Sequence, residues 1–269
     1  MFSSYYAWSG RADPENHVCL NVALYGDGGN RWTMTERGRR SLRRTPDTFE
    51  VGPSAVSWDG ETLVYRLAER GAPLPRAVCG EVRVRPEPLI DEAFTLDARG
   101  RHVWAPLAPA AAIEVDLERP KLRWRGRAYL DSNRGSEPLE AGFRRWHWAR
   151  AHIGRGTAVL YDVEPRDGEP FSTFLRFGAD GRPEELPTPP VAGLPTTLWR
   201  VGRRIGADAG TDPAVVRTLE DSPFYARSLV ETTLLGEMAT AVHESLSLDR
   251  FARGWVKVLL PFRMPRITW

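Results

Sequence analysis

An antiparallel, all-β fold is predicted for this chain of 269 residues by three observations. Short apolar or alternating stretches recur along it, for example "VCLNVALYG", "AVSWDGETLVYRL", "GEVRVRPE" and "TAVLYDVEP". Gly, Pro, Asp and Asn punctuate these stretches at turn-like intervals. Segments of helical and strand period do not alternate in the way that builds a parallel sheet.

Taken in order, "YGDGGNRW" reads as a hairpin turn. It lacks the spacing and the Lys-Ser/Thr pair of a phosphate loop, and it is no dinucleotide fingerprint. "SWDGETLVYRL" predicts a hairpin with Asp59-Gly60 at its turn, and "FSTFLRFGADGRP" a second with Asp180-Gly181 at the bend. "APLAPAAAI", with Pro106 and Pro109, predicts a linker or bend after "RHVW", followed by strands in "AIEVDL" and "KLRWRGRAYLD". The stretch from Pro183 to Pro195 predicts an irregular crossing, because proline cannot donate to a sheet interior. "ARSLVETTLLGEMATAVHESL" reads as one short helix or as a strand followed by a helix, with Thr232, Thr233 and Gly236 opposing a continuous helix.

Composition narrows the function. Hydrophobic residues make up 42%, and the net charge of +2 carries no nucleic-acid signal. Ten tryptophans supply large apolar area with one polar N–H each, suited to cores, pocket walls and membrane interfaces. Cys19 and Cys79 are too few for a disulfide scaffold, so reduced, buried thiols are expected. The N-terminal segment reads as no signal peptide, and no run approaches the roughly 18–20 apolar residues of a membrane span. A soluble or peripherally attached protein on the cytoplasmic side is the expectation. The sequence assigns no oligomeric state.

Metal chemistry finds no footing. His17, His102, His147, His152 and His243 form no metalloprotease helix pair, and Cys-x-x-Cys is absent. There is no Gly-x-Ser-x-Gly nucleophile elbow either. Aromatic and carboxylic pairs at strand spacing remain. His102 and Trp104 share one face of a strand, as do Tyr129 and Asp131, with Asn133 next on that face. Trp146 and Trp148 share another, opposite Arg145 and His147, where core packing is the ordinary role. For Asp131 the ordinary role is acceptor in the turn "DSNRG". That role leaves Tyr129 and the aromatic surroundings unexplained. A carboxyl group among aromatic rings loses hydration, stays protonated nearer neutral pH and can donate that proton, while the π faces favour a cation. Protonation of an electron-rich alkene suits such a site.

The chain resembles the bacterial carotenoid 1,2-hydratases, or hydroxyneurosporene synthases. The resemblance runs through "YYAWSGRADPENHVCLNVALYG", "RWTMTERGRRSL", "VGPSAVSWDG", "RHVWAPLAP", "GRAYLDSNRGSEPLEAGFRRWHWARA" and "ARSLVETTLLGEMATAVHESLSLDRF". It implies two lipocalin-like antiparallel β-barrel or sandwich halves with short helical additions, an N-terminal half over 1–135 and a C-terminal half over 136–269. It implies cofactor-independent addition of water to the terminal C1–C2 double bond of acyclic carotenoids such as neurosporene and lycopene, giving 1-hydroxy carotenoids for photosynthetic pigments. Its His-x-Trp and Tyr-x-Asp pairs fall on His102 and Trp104, then on Tyr129 and Asp131, each partner 27 positions on. The expected roles are Asp131 as proton donor to C2, Trp104 as stabiliser of the cation at C1, Tyr129 as a second stabiliser or as orienter of Asp131 through a hydrogen bond, and His102 as holder of water or tuner of the acid. Two rivals are a carotenoid or lipid carrier and a cyclase on the same scaffold, neither of which adds water to its ligand.

A substrate of this kind is drawn from a bilayer, so peripheral membrane contact is expected. The tail "RFARGWVKVLLPFRMPRITW" mixes Arg253, Lys257, Arg263 and Arg266 with Trp255, Leu259, Leu260, Phe262 and Trp269. A final strand with a docked tail is the alternative reading of the same residues.

Overall fold

The computed structural model describes residues 2–26, 30–154 and 156–267 and is mainly β. Its eight-stranded sheet is a meander of Leu42–Arg44, Thr48–Val51, Ser54–Trp58, Leu63–Arg70, Ala77–Pro86, His102–Arg119 and Leu122–Gly135. The short strand Phe94–Thr95 pairs with the start of His102–Arg119. The seven-stranded sheet has the order Pro183–Leu186, Phe171–Phe177, Gly156–Pro165, Phe143–Ile153, Glu237–Ser247, Tyr225–Leu234, Ala214–Asp221. Two meanders are joined there, where Phe143–Ile153 pairs antiparallel with Glu237–Ser247. Two large antiparallel sheets are what the turn-punctuated sequence predicts.

Local turn chemistry sets the hairpins. Asp59 accepts the N–H groups of Glu61 and Thr62 at 2.9 and 2.7 Å, and Gly60 takes a φ of 100°. Phe171–Phe177 and Pro183–Leu186 pair across the bend at Asp180-Gly181. The strands Asn21–Leu24 and Arg31–Met34 pair as well, although Asp27, Gly28 and Gly29 of their connection lie outside the described residues.

Three expectations need correction. Residues 225–247 form no helix: Tyr225–Leu234 and Glu237–Ser247 are a hairpin turned at Leu235 and Gly236, whose φ angles are 56° and 78°. Ala226, Ser228, Val230, Thr232 and Leu234 are buried in alternation, so a period of two overrides the helical propensity of the segment. Asp208 fixes the turn by accepting the N–H groups of Leu235 and Gly236 at 3.1 and 2.7 Å. The Pro106–Pro109 segment is no linker but part of the strand His102–Arg119. Its prolines fall between the stretch paired with Phe94–Thr95 and the stretch paired with Ala77–Pro86, so on that edge of the strand they meet no ladder. The stretch 183–195 also carries two short strands, Pro183–Leu186 at a sheet edge and Val191–Leu194 paired with Arg203–Gly206.

The chain divides into two compact units, Met1–Pro86 with Ala111–Ala128 and Lys257–Trp269, and Glu87–Ala110 with Tyr129–Val256. In the first, Leu67, Val78, Val115 and Leu117 form a core. Arg37 donates to both oxygens of the wholly buried Glu69, at 3.2 and 2.9 Å, and Ser54 donates to the same carboxylate at 2.7 Å. The chain ends are tied by a second buried carboxylate, Glu36, which bonds Ser3, His17 and Arg266. Ser9 stands 3.1 Å from His17, completing a Ser–His–Glu row. Its hydroxyl already donates to the Tyr6 carbonyl, and Arg266 reaches the inner nitrogen of His17, so the row works as a clamp. Cys19 and Cys79 are free thiols, half-buried rather than fully so, and burial pushes Cys19 up to about 11.

In the second unit one face of the seven-stranded sheet packs Ala149, Ala151, Phe174, Val230 and Ala241 against Leu194 and Ile205 of the hairpin Val191–Leu194/Arg203–Gly206. His147 and His243 sit on this dry face with their rings stacked 6.2 Å apart. His147 shares a hydrogen bond of 2.9 Å with Ser245, and His243 donates to the Arg204 carbonyl at 2.8 Å. Loss of hydration lowers them to about 3 and about 4, so both are neutral. The other face of the sheet carries Trp146, Trp148, Arg150, Tyr161 and Glu244.

Candidate active site

Every residue of the candidate site belongs to the second unit. The carboxylate of Asp97 accepts the backbone N–H groups of Arg99, Arg101 and His102, at 2.9, 3.3 and 2.7 Å, and so anchors the start of the strand His102–Arg119. From there period two buries His102, Trp104 and Pro106 on one face. Trp104 is fully buried and lies opposite Phe94, with ring centroids 5.3 Å apart.

On Leu122–Gly135 the same period puts Tyr129, Asp131 and Asn133 on one side. Trp104 Nε1–H donates to Asp131 Oδ2 at 2.9 Å, and the Tyr129 hydroxyl donates to the same oxygen at 3.3 Å. Trp104 therefore meets the acid through its N–H edge. The surroundings are aromatic. Tyr161 packs 4.7 Å from Trp104 and 5.5 Å from Trp146, and Tyr129 packs 5.6 Å from Trp148. The guanidinium of Arg150 lies 5.4 Å over the Tyr129 ring.

Burial raises Asp131 above the usual carboxylate range. The hydrogen bonds from Trp104 and Tyr129 oppose the shift, the negative charge of Glu244 adds to it, and Arg150 opposes it. Lost hydration outweighs the rest, which favours a protonated carboxyl. Tyr129 and Tyr161 are raised well above the ordinary phenol value, first by burial and then by the charge of Asp131, so both stay neutral donors.

Trp104, Tyr129 and Asp131 thus meet at one oxygen. His102 shares a strand face with Trp104 and has its own neighbours. Its Nε2 lies 3.3 Å from Glu137, and its ring packs 4.7 Å from Phe143. Two glycines leave the ring its space: a Cβ on Gly135 would come 2.8 Å from Nδ1, and one on Gly142 would come 2.6 Å from Nε2. Gly142→Ala must therefore displace the imidazole or Glu137, at a cost of about 1–3 kcal/mol. The expected result is a lower midpoint in urea unfolding, with the His102 ring resonance shifted in NMR spectra.

Tyr161, Asn133, Arg150, Trp148 and Glu244 extend the site beyond the sequence-derived residues. The shared face of Trp146 and Trp148 was visible, but nothing local said that Trp148 would lie opposite both Tyr161 and Glu244. Among the described residues no group of three or more His, Cys, Asp or Glu side chains is arranged to hold a metal ion.

Residues 1–269 match the family described as carotenoid hydratase CrtC. An acyclic carotenoid 1,2-hydratase of Thiocapsa roseopersicina is 56% identical, over 99% of this chain and 67% of that one. One from Cereibacter sphaeroides is 45% identical, over 99% of this chain and 95% of that one. The crystal structure of CghA with Sch210972 shares the fold at 13% identity, with a TM-score of 0.55 over 91% of this chain and 83% of that one. The chain belongs to the CrtC carotenoid hydratase family.

Proposed function

We infer that this protein is a hydro-lyase acting in the hydration direction, adding water to the terminal C1–C2 double bond of an acyclic carotenoid to give the 1-hydroxy product. The observation that carries the reading is the full-length family match, joined to a buried carboxyl group ringed by aromatic side chains. Asp131 gives its proton to C2, and the π electrons of the double bond form the new C–H bond, leaving positive charge at tertiary C1. Trp104 and Tyr129 stabilise that charge with their ring faces. Water then adds at C1, and the resulting oxonium returns a proton to the Asp131 carboxylate. The aromatic enclosure keeps bulk water from quenching the cation unselectively. His102, held between Gly135 and Gly142, acts as a support for the strand that carries Trp104.

Incubation with lycopene and neurosporene in H2 18O tests this directly. Products heavier by one labelled water are expected; a bound but unaltered carotenoid would indicate a carrier, and an isomer of unchanged mass a cyclase.

The two lipocalin-like halves, 1–135 and 136–269, are part of the same reading. In support, every strand of the eight-stranded sheet ends by Gly135, and every strand of the seven-stranded sheet begins at Phe143 or later. Peripheral membrane contact on the cytoplasmic side also belongs here. Among the described residues no helix is long and apolar enough to cross a membrane. The C-terminal segment exposes Trp255, Val258, Leu259 and Phe262, and Trp199 stacks 6.4 Å from Trp255. Trp269 lies outside the described residues. Arg266 is bound to Glu36, so point substitutions are a cleaner probe than truncation. Burying a Trp or Phe in the interface contributes about 1.5–3 kcal/mol, so the W255S/F262S pair should weaken binding to anionic vesicles at least about tenfold. Unchanged vesicle sedimentation would remove this segment from the membrane contact.

A further inference from the structure

Hydration needs a second polar position beside the acid, one that holds water against C1 while the cation exists. We propose that Tyr161 is that position, a catalytic residue that binds the attacking water, and that Asn133 positions it. The proposal rests on the hydratase reading and on Asp131 as its acid.

Four observations carry it. Asp131 Oδ2 already accepts Trp104 Nε1–H and the Tyr129 hydroxyl, so the transferable proton resides on Oδ1 and neither of those donors is free to hold water. The Tyr161 ring is the other wall of Trp104, at 4.7 Å, which places its hydroxyl in the same aromatic enclosure where the cation is stabilised. That hydroxyl donates to Asn133 Oδ1 at 3.2 Å, so its lone pairs remain to accept an O–H of water and turn the water oxygen toward an electrophile. Burial and the charge of Asp131 hold the phenol neutral, so it orients water without becoming a nucleophile itself.

Asn133 supplies the route. It is exposed, whereas Tyr161 is buried, and it stands two residues beyond Asp131 on the same strand face. One amide therefore joins solvent to the buried hydroxyl, beside the acid. The sequence of bonds balances. The Asp131 Oδ1–H bond breaks as C2–H forms; the water oxygen forms the C1–O bond; one oxonium proton goes back to the carboxylate. Tyr161 keeps its own proton throughout.

The test separates protonation from water capture. In D2O a cation that fails to capture water can lose a proton from C2 and return as deuterium-labelled starting carotenoid. Parent, Tyr161→Phe, Asn133→Leu and Asp131→Asn proteins are incubated with lycopene in D2O, and both hydroxylated product and deuterium in recovered lycopene are measured. Y161F and N133L should lower hydration by roughly tenfold to a hundredfold, as misplacement of a reactant does. They should also raise the ratio of deuterium exchange to hydration. Because that ratio is a property of active molecules, a partly unfolded preparation does not move it. Hydration unchanged in Y161F, or hydration and exchange falling together in both variants, would overturn the assignment. Absence of hydroxylated product from the parent would instead overturn the hydratase reading beneath it, and exchange retained in D131N would overturn the acid.

Discussion

Asp131→Asn should abolish hydration while leaving a folded protein at least as stable as the parent at neutral pH. The substitution removes the transferable proton and keeps the shape, and an amide oxygen still accepts from Trp104 Nε1 and the Tyr129 hydroxyl. General acid catalysis contributes roughly 10²–10⁴-fold, so turnover should fall by at least that factor, about 3–5 kcal/mol of barrier. The stability follows from the direction of the shift. A carboxyl group raised on folding binds its proton more tightly in the native state than in the unfolded chain. Its stabilisation is complete below the unfolded value near 4 and is lost as pH rises through the folded value. At pH 7 the parent carries that loss and the neutral amide does not. The parent's activity should decline along the same limb, because only protonated Asp131 can act. The checks are product formation from lycopene across pH 5–9 and the thermal midpoint of both proteins at pH 7. D131N turnover within tenfold of the parent would remove Asp131 as the acid.

The second large effect is acid unfolding driven by His147 and His243. Both are held neutral in the fold, at about 3 and about 4, on the dry face of the seven-stranded sheet. In the unfolded chain each takes a proton near 6.5. The stability they allow is therefore complete above pH 6.5 and drains away as pH falls below it, toward their folded values. Each contributes about 1.4 kcal/mol per pH unit in that window, so the pair costs on the order of 4 kcal/mol by pH 5. That is a large share of the total stability of an ordinary domain. Urea unfolding between pH 7.5 and 5 should show this slope. Asn at 147 matches the nitrogen that meets Ser245, and Gln at 243 matches the one that meets the Arg204 carbonyl. The H147N/H243Q pair should remove most of the slope; a slope equal to the parent's would assign it to other groups.

These histidines also show where sequence reasoning ends. "RRWHWARAH" revealed that His147 alternates with Trp146 and Trp148, and hence that one set faces away from the other. Which face met the apolar hairpin and which met the aromatic site depended on pairing with strands about 15 and 100 positions away, and residue pattern does not encode that register. The hairpin at residues 225–247 was obscured for a related reason. Its buried face alternates Ser228 and Thr232 with Ala226, Val230 and Leu234, so polarity did not announce the strand period.

The sequence by itself determined the antiparallel β class, the Asp-Gly hairpins and the shared faces of His102 with Trp104 and of Tyr129 with Asp131. Each follows from turn chemistry or from a period of two within a few residues. The family resemblance supplied the reaction. Only the tertiary structure decided that Trp104 and Tyr129 meet at one oxygen of Asp131, that the His102 ring is bordered by Gly135 and Gly142, and that Tyr161 pairs with Asn133. Those relations join residues far apart in the chain, and their distances are fixed by sheet register and packing, which come into being only when the strands assemble.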